Sequence, residues 1–292
     1  MIERVAFVVV AHHDDWQLFI GATAFELLRD PACRVVIVVT TAGDAGDEAY
    51  HWKSRFAGAV ASVLSGLNAL NPYDRETARM PEVPLQSSID FACVEVASKS
   101  VLRAQVRSAG EVRAVLYALH LPDGGTGSGF APAFESLEQL HGGKPATTLW
   151  PEPGVRYACW RDFEAVLEAI VASERLGESA STLFAANPDP EMNPGDHSDH
   201  RFTSIAVRSI AQADARLRVV WFSTYANASR ERNLDERGSR EQRALVYAYA
   251  GGYAGCASPF AAELRTGWQR EHDAFNGREY TAPAHQEESN SI

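Results

Sequence analysis

Val5-Ala6-Phe7-Val8-Val9-Val10-Ala11 runs without a polar side chain directly into His12-His13-Asp14-Asp15-Trp16. A short, continuous, β-branched run of this kind predicts a strand covered on both faces, as in a parallel sheet. The helical spacing of apolar residues from Leu18 to Leu28 and the second buried run Arg34–Thr40 complete a β-α-β unit. The fold class expected is therefore α/β, with a mostly parallel sheet and helices on both faces.

Downstream the alternation continues. A helix is expected over about 49–67, after the turn Gly43-Asp44-Ala45-Gly46, and then a polar, Pro-bearing surface excursion to about Ser88. Phe91–Ala97 and Val101–Val106 flank Ser98-Lys99-Ser100 as a β-hairpin insertion, and Val112–Leu119 is a further strand. Phe163–Ser173, Phe202–Gln212 and Glu241–Tyr249 read as helices, and Ser181–Ala185 and Leu217–Ser223 as strands. No repeat or break in composition divides the chain, so residues 1–282 are expected to form a single catalytic domain and 283–292 a frayed polar tail. Segment Gly125–Gly154 is expected to shape the mouth of a pocket.

A formal net charge of −11 repels phosphate backbones and anionic lipid, which argues against nucleic-acid partners and membrane insertion. The first residues, Met1-Ile2-Glu3-Arg4 and a short apolar run, do not read as a targeting segment. Cys33, Cys93, Cys159 and Cys256 are scattered and lack CxxC spacing, so buried thiols in a cytoplasmic protein are the expectation. A homo-oligomer is left open.

Chemistry begins where the first strand stops. Ligands in open parallel sheets bind beyond the carboxyl ends of strands, which is where His12 to Asp15 fall. An imidazole and a carboxylate three residues apart can face one ion, but catalytic zinc usually takes three protein ligands and a water. Asp196-His197-Ser198-Asp199-His200 follows another strand and can supply the missing imidazole. The set His12, Asp15 and His200 then leaves an open position for water. Asp14 could take the water's proton, and His197 could donate to a developing oxyanion with Asp199 orienting it. The competing structural reading is that Asp and Asn-Pro clusters serve as turns and helix caps.

The pair AHHDDW and HSDH resembles the AHPDDE and HxDH signatures of the PIG-L/LmbE-like N-acetylglucosaminyl deacetylases. Thr41-Ala42-Gly43-Asp44-Ala45-Gly46 and Leu121-Pro122-Asp123-Gly124 are similar to that family's TxGExG and LPDG segments. The resemblance implies a Rossmann-like fold, one zinc or other divalent metal per chain on His12, Asp15 and His200, and catalysis by Asp14, His197 and Asp199. It further implies hydrolysis of the N-acetyl group of an amino sugar or its conjugate.

His13 stands where the family has proline, Trp16 where it has an acidic residue, and Gly58 where a glutamate follows Arg55. Trp16, Arg55, Asp123 and Tyr225 are the candidate substrate-binding residues. Their plainer alternatives are packing for Trp16 and Tyr225, pairing with Asp44 or Asp47 for Arg55, and a turn for Asp123. His51, His120 and His141 have no assigned role. Two other functions compete: a metal-dependent amidase or esterase on a non-sugar substrate, and a non-catalytic nucleotide or sugar-nucleotide binder. The second lacks GxGxxG after the first strand, and Asp14 and Asp15 would repel a pyrophosphate.

Overall fold

The computed structural model describes residues 2–46, 50–68, 87–255 and 273–283, with the backbone only at 50 and 51. Strands β1 (Arg4–Val10), β2 (Cys33–Thr41), β3 (Ser87–Val96), β4 (Lys99–Ser108), β5 (Glu111–Leu121), β8 (Ser181–Ala186), β9 (Leu217–Phe222) and β10 (Thr281–Pro283) form one sheet. Its order is β10-β9-β8-β1-β2-β5-β4-β3, and the run β9-β8-β1-β2-β5 is parallel throughout. That run has the Rossmann-like order, with the chain reversing its direction of travel between β1 and β8. A small ladder, β6 (Ala146–Thr147) with β7 (Arg156–Tyr157), lies apart from it.

The continuous apolar strands have the expected cause. Ala6, Val8 and Val10 of β1 pack into a core with helices α2 (Gly21–Arg29), α3 (Tyr50–Asn68) and α7 (Glu236–Gly255). Val5, Phe7 and Val9 point the other way, into a core with α4 (Leu137–His141), α5 (Trp160–Glu174) and α6 (Ser198–Ala213). Phe7 is fully buried, and truncating such a side chain to alanine costs about 3–5 kcal/mol.

Three expectations change in detail. The hairpin does not stand off as an insertion: β4 pairs with β5 and β3 with β4, both antiparallel, so it extends the sheet. The helix expected from Leu18 is two helices, α1 (Asp15–Phe19) and α2, because Ile20 leaves helical geometry at φ −134° and ψ 32°. Gln242 of α7 fills the break, donating to the Leu18 carbonyl at 2.8 Å. The cysteines are not uniformly buried: Cys33 is, but Cys93 on edge strand β3 and Cys159 before α5 are exposed. Cys256 and most of the excursion before Ser88 lie outside the described residues, as does the tail from residue 284, whereas Pro283 pairs with Val220. Among the described residues no helix is long and apolar enough to cross a membrane.

Candidate metal centre and active site

The two clusters meet at the switch point between β1 and β8. His12 lies just beyond β1, Asp14 is the N-cap of α1 and Asp15 its first residue. His197 is the N-cap of α6, which starts at Ser198 rather than Phe202, so the whole HSDH motif forms that helix's first turn. His12, Asp15 and His200 are all buried, and they form a group whose ligand atoms could hold a metal ion.

Their spacing fits a tetrahedral ion. His12 Nδ1 is 3.2 Å from His200 Nε2 and 3.4 Å from Asp15 Oδ1, and His200 Nε2 is 3.0 Å from Asp15 Oδ1. Bonds of 2.0–2.1 Å at tetrahedral angles separate neighbouring ligands by about 3.3 Å, so the three atoms mark one face of such a site. Asp15 Oδ2 is occupied by the His12 backbone N–H at 2.7 Å, which leaves Oδ1 for the ion.

Carboxylates stand behind both imidazoles. His200 Nδ1 is 2.7 Å from Asp196 Oδ1, which also accepts from the Thr224 hydroxyl at 2.7 Å. A carboxylate only accepts, so the proton sits on Nδ1 and Nε2 is the atom that would ligate an ion held there. His12 Nε2 faces Asp199 Oδ2 at 3.5 Å, leaving Nδ1 for the ion in the same way. Carboxylate–histidine–metal triads of this type orient ligands and raise their basicity.

The electrostatics follow. Burial opposes charge on His200, yet Asp15 and Asp196 outweigh it and push the imidazole up to about 10. Burial also opposes charge on His12, but the charge and hydrogen bonding of Asp15, with Asp199 and Asp123, raise it well above the ordinary histidine value. Burial would raise Asp15, but His200 and His12 hold it well below the carboxylate range. The chain thus supplies net negative surroundings that favour a cation.

Asp199 meets His197 through both its backbone and its carboxylate. Its Oδ2 is 3.8 Å from His197 Nδ1, and that nitrogen already accepts from the Asp199 backbone N–H at 3.2 Å. The His197 proton is therefore on Nε2, which faces Asp123 Oδ1 at 3.5 Å. Both carboxylates lie between the two rings: Asp199 Oδ2 is 3.5 Å from His12 Nε2 and 3.8 Å from His197 Nδ1, and Asp123 is 3.5 Å from His197 Nε2 and 4.0 Å from His12 Nε2. Gly124 makes this close approach feasible: its N–H donates to Asp199 Oδ2 at 2.9 Å, and a Cβ there would lie 2.5 Å from Asp199 Oδ1. Asp123 also shapes its turn, accepting from Gly125 N–H at 2.8 Å. His12, Asp123, His197 and Asp199 form a second group able to approach a cation, but at 3.5–4.0 Å it is looser than the first.

Arg55 on α3 pairs neither with Asp44 nor with a solvent-facing acid; it donates to Asp14 Oδ1 at 2.7 Å. Asp44 instead receives the Asp123 backbone N–H at 2.9 Å, and Asp47 lies outside the described residues. Tyr225, in a 3₁₀ turn after β9, is exposed and lies 5.3 Å from the His200 ring, at the edge of the site. Trp16 is not brought into the cleft. It is fully buried in the core beneath α1, with no ring face open to a sugar. Asp196 carries no role in the motif as read from sequence; its signal is its position four residues before His200, which brings its carboxylate to that ring.

No family model matches the sequence, and no curated protein matches it. Solved structures similar to this chain include the N,N'-diacetylchitobiose deacetylase from Pyrococcus horikoshii, with 12% identity, a TM-score of 0.48 and coverage of 96% of this chain and 83% of that one. Another is a triple mutant of a deacetylase of the teicoplanin biosynthetic pathway, with 12% identity, a TM-score of 0.44 and coverage of 96% and 97%.

Proposed function

We propose that this chain is a zinc-dependent hydrolase that removes the N-acetyl or N-acyl group from an amino sugar or its conjugate, with residues 1–282 as its catalytic domain. The observation that carries this reading is the face of three nitrogen and oxygen atoms on His12, Asp15 and His200, each imidazole backed by a carboxylate. The substrate class draws on the AHHDDW and HSDH motifs and their two accompanying segments.

When bound there, a divalent ion supplies Lewis acidity toward the acyl carbonyl and lowers the pKa of water. The side chains around it do the rest. Asp14, which accepts from Arg55 at 2.7 Å and adjoins Asp15 in sequence, takes the proton of the attacking water in this reading. His197 holds its proton on Nε2 and donates it toward the oxygen that becomes negative as the acyl carbon turns tetrahedral, with Asp123 fixing the ring. The proton that Asp14 took from water passes to the amine nitrogen as its bond to the acyl carbon breaks, so the free amine and the carboxylate depart.

A second reading, a non-sugar N-acyl amine as substrate, draws on Trp16 and Arg55, since one is buried and the other engaged with Asp14. Acetate release from an N-acetylglucosamine conjugate and a panel of acylated amines separates the two. Asp14→Asn should abolish turnover and keep the metal, and His200→Ala should lose both. Full activity in Asp14→Asn would sink the assignment.

A further inference from the structure

Thr224 stands two residues beyond β9, fully buried, as the N-cap of the 3₁₀ turn Tyr225–Ser229. A threonine at a helix N-cap commonly turns its hydroxyl oxygen onto that helix's first N–H groups, but this one makes no such bond. Its hydroxyl instead donates to Asp196 Oδ1 at 2.7 Å, the same oxygen that takes the His200 Nδ1–H at 2.7 Å. The other oxygen of Asp196, Oδ2, has no hydrogen-bond partner among the described residues, so the two donors on Oδ1 set the rotation of the carboxylate. The backbone of Thr224 is held in turn by Asn193, a buried residue on the loop between β8 and α6. Asn193 Oδ1 accepts the Thr224 N–H at 3.0 Å, its Nδ2 donates to the Asn187 carbonyl at 2.9 Å, and its own carbonyl accepts the Asp196 N–H at 3.3 Å. One loop thus carries both the carboxylate and the amide that registers the hydroxyl against it.

We infer that Thr224 is a positioning residue: its hydroxyl fixes the Asp196 carboxylate, and that carboxylate holds the His200 ring with Nε2 turned toward Asp15 Oδ1. The inference rests on the reading of His200 as a zinc ligand. With the hydroxyl gone, the Asp196 carboxylate keeps the His200 N–H as its single partner and can rotate about its own bond, and the imidazole turns with it. Removing a partner that stands behind a ligand histidine typically weakens metal binding by about 10–100-fold. Thr224 is one hydrogen bond further from the ion, which places its effect at the lower end.

Thr224→Val keeps the shape and removes the hydroxyl, Thr224→Ala removes it without adding bulk, and Thr224→Ser keeps it. Competition with a chromophoric chelator on the full chain should show zinc binding about ten-fold weaker in the valine and alanine variants and unchanged in the serine variant, with thermal melts confirming that each is folded. In an Asp196→Ala background, Thr224→Val should weaken zinc binding no further, because the two side chains act in one line. Wild-type zinc affinity in Thr224→Val and Thr224→Ala, an equal loss in Thr224→Ser, or a loss that recurs in full beside Asp196→Ala overturns the inference. If the wild type binds no zinc, the proposed function fails separately, and proton NMR of the metal-free chain decides the positioning by itself. The His200 Nδ1–H should then give a sharp downfield resonance in the wild type and a broadened one in Thr224→Val; sharp resonances in both overturn the inference.

Discussion

Asp199→Asn separates two roles that one carboxylate could play, because Asp199 Oδ2 lies 3.5 Å from His12 Nε2 while its hold on His197 Nδ1 runs through its backbone N–H, which the substitution keeps. Asparagine has nearly the same volume, and its side-chain oxygen can still accept from the Gly124 N–H, now at 2.9 Å. What it lacks is the negative charge 3.5 Å from His12 Nε2, at a position with no solvent exposure to screen it. Losing such an outer partner of a metal-ligating histidine typically weakens metal binding by about 10–100-fold, or about 1.4–2.7 kcal/mol. Competition with a chromophoric chelator measures this directly. Asp123→Asn is the paired control: its carboxylate faces His197 Nε2, so turnover should fall with zinc affinity little changed. Wild-type zinc affinity in Asp199→Asn together with lost turnover would refute the reasoning and return Asp199 to His197.

Other expectations concern pH, metal and stability. Zinc must displace a proton from His200, which Asp15 and Asp196 hold up to about 10 against the burial that opposes its charge, so apparent zinc affinity should climb as pH rises toward that value; a pH-independent affinity would contradict the site. His120, fully buried near the end of β5, is pushed down to about 3 by burial. The unfolded chain therefore binds the extra proton between about pH 6.5 and pH 3, and this group alone should remove about 3 kcal/mol of stability at about pH 4.5. Urea unfolding of wild type and His120→Asn, at neutral pH and at about pH 4.5, should show the variant losing less by that amount; equal losses would exclude His120 as the cause. Zinc at about 100 times its Kd should stabilise the wild type by about 2.7 kcal/mol and leave His200→Ala unmoved in a thermal melt.

The strands that carry the site were legible because each is an unbroken apolar run, a pattern only burial on both faces explains. That His12, Asp15 and His200 would meet was legible because the first two sit at one strand end and the third at another on the same edge of a parallel sheet, and the structure brings them together as a group that could hold a metal ion. What adjacency in sequence hid was direction. Asp199 is two residues from His197 and far from His12 along the chain, yet the first turn of α6 aims its carboxylate at His12 and its backbone N–H at His197. Trp16 directly follows Asp15, yet α1 turns it inward. Arg55 of α3 reaches Asp14 at the start of α1, a contact that no local spacing encodes. The break at Ile20 is invisible for a similar reason, since Gln242 satisfies it from a helix more than two hundred residues away.

The central claim is tested most directly by elemental analysis of the purified protein, paired with acetate release from an N-acetylglucosamine conjugate before and after chelation. The account predicts about one zinc per chain, activity lost on chelation and restored by added metal. A protein that cannot be loaded, or that turns over equally well without metal, would contradict it.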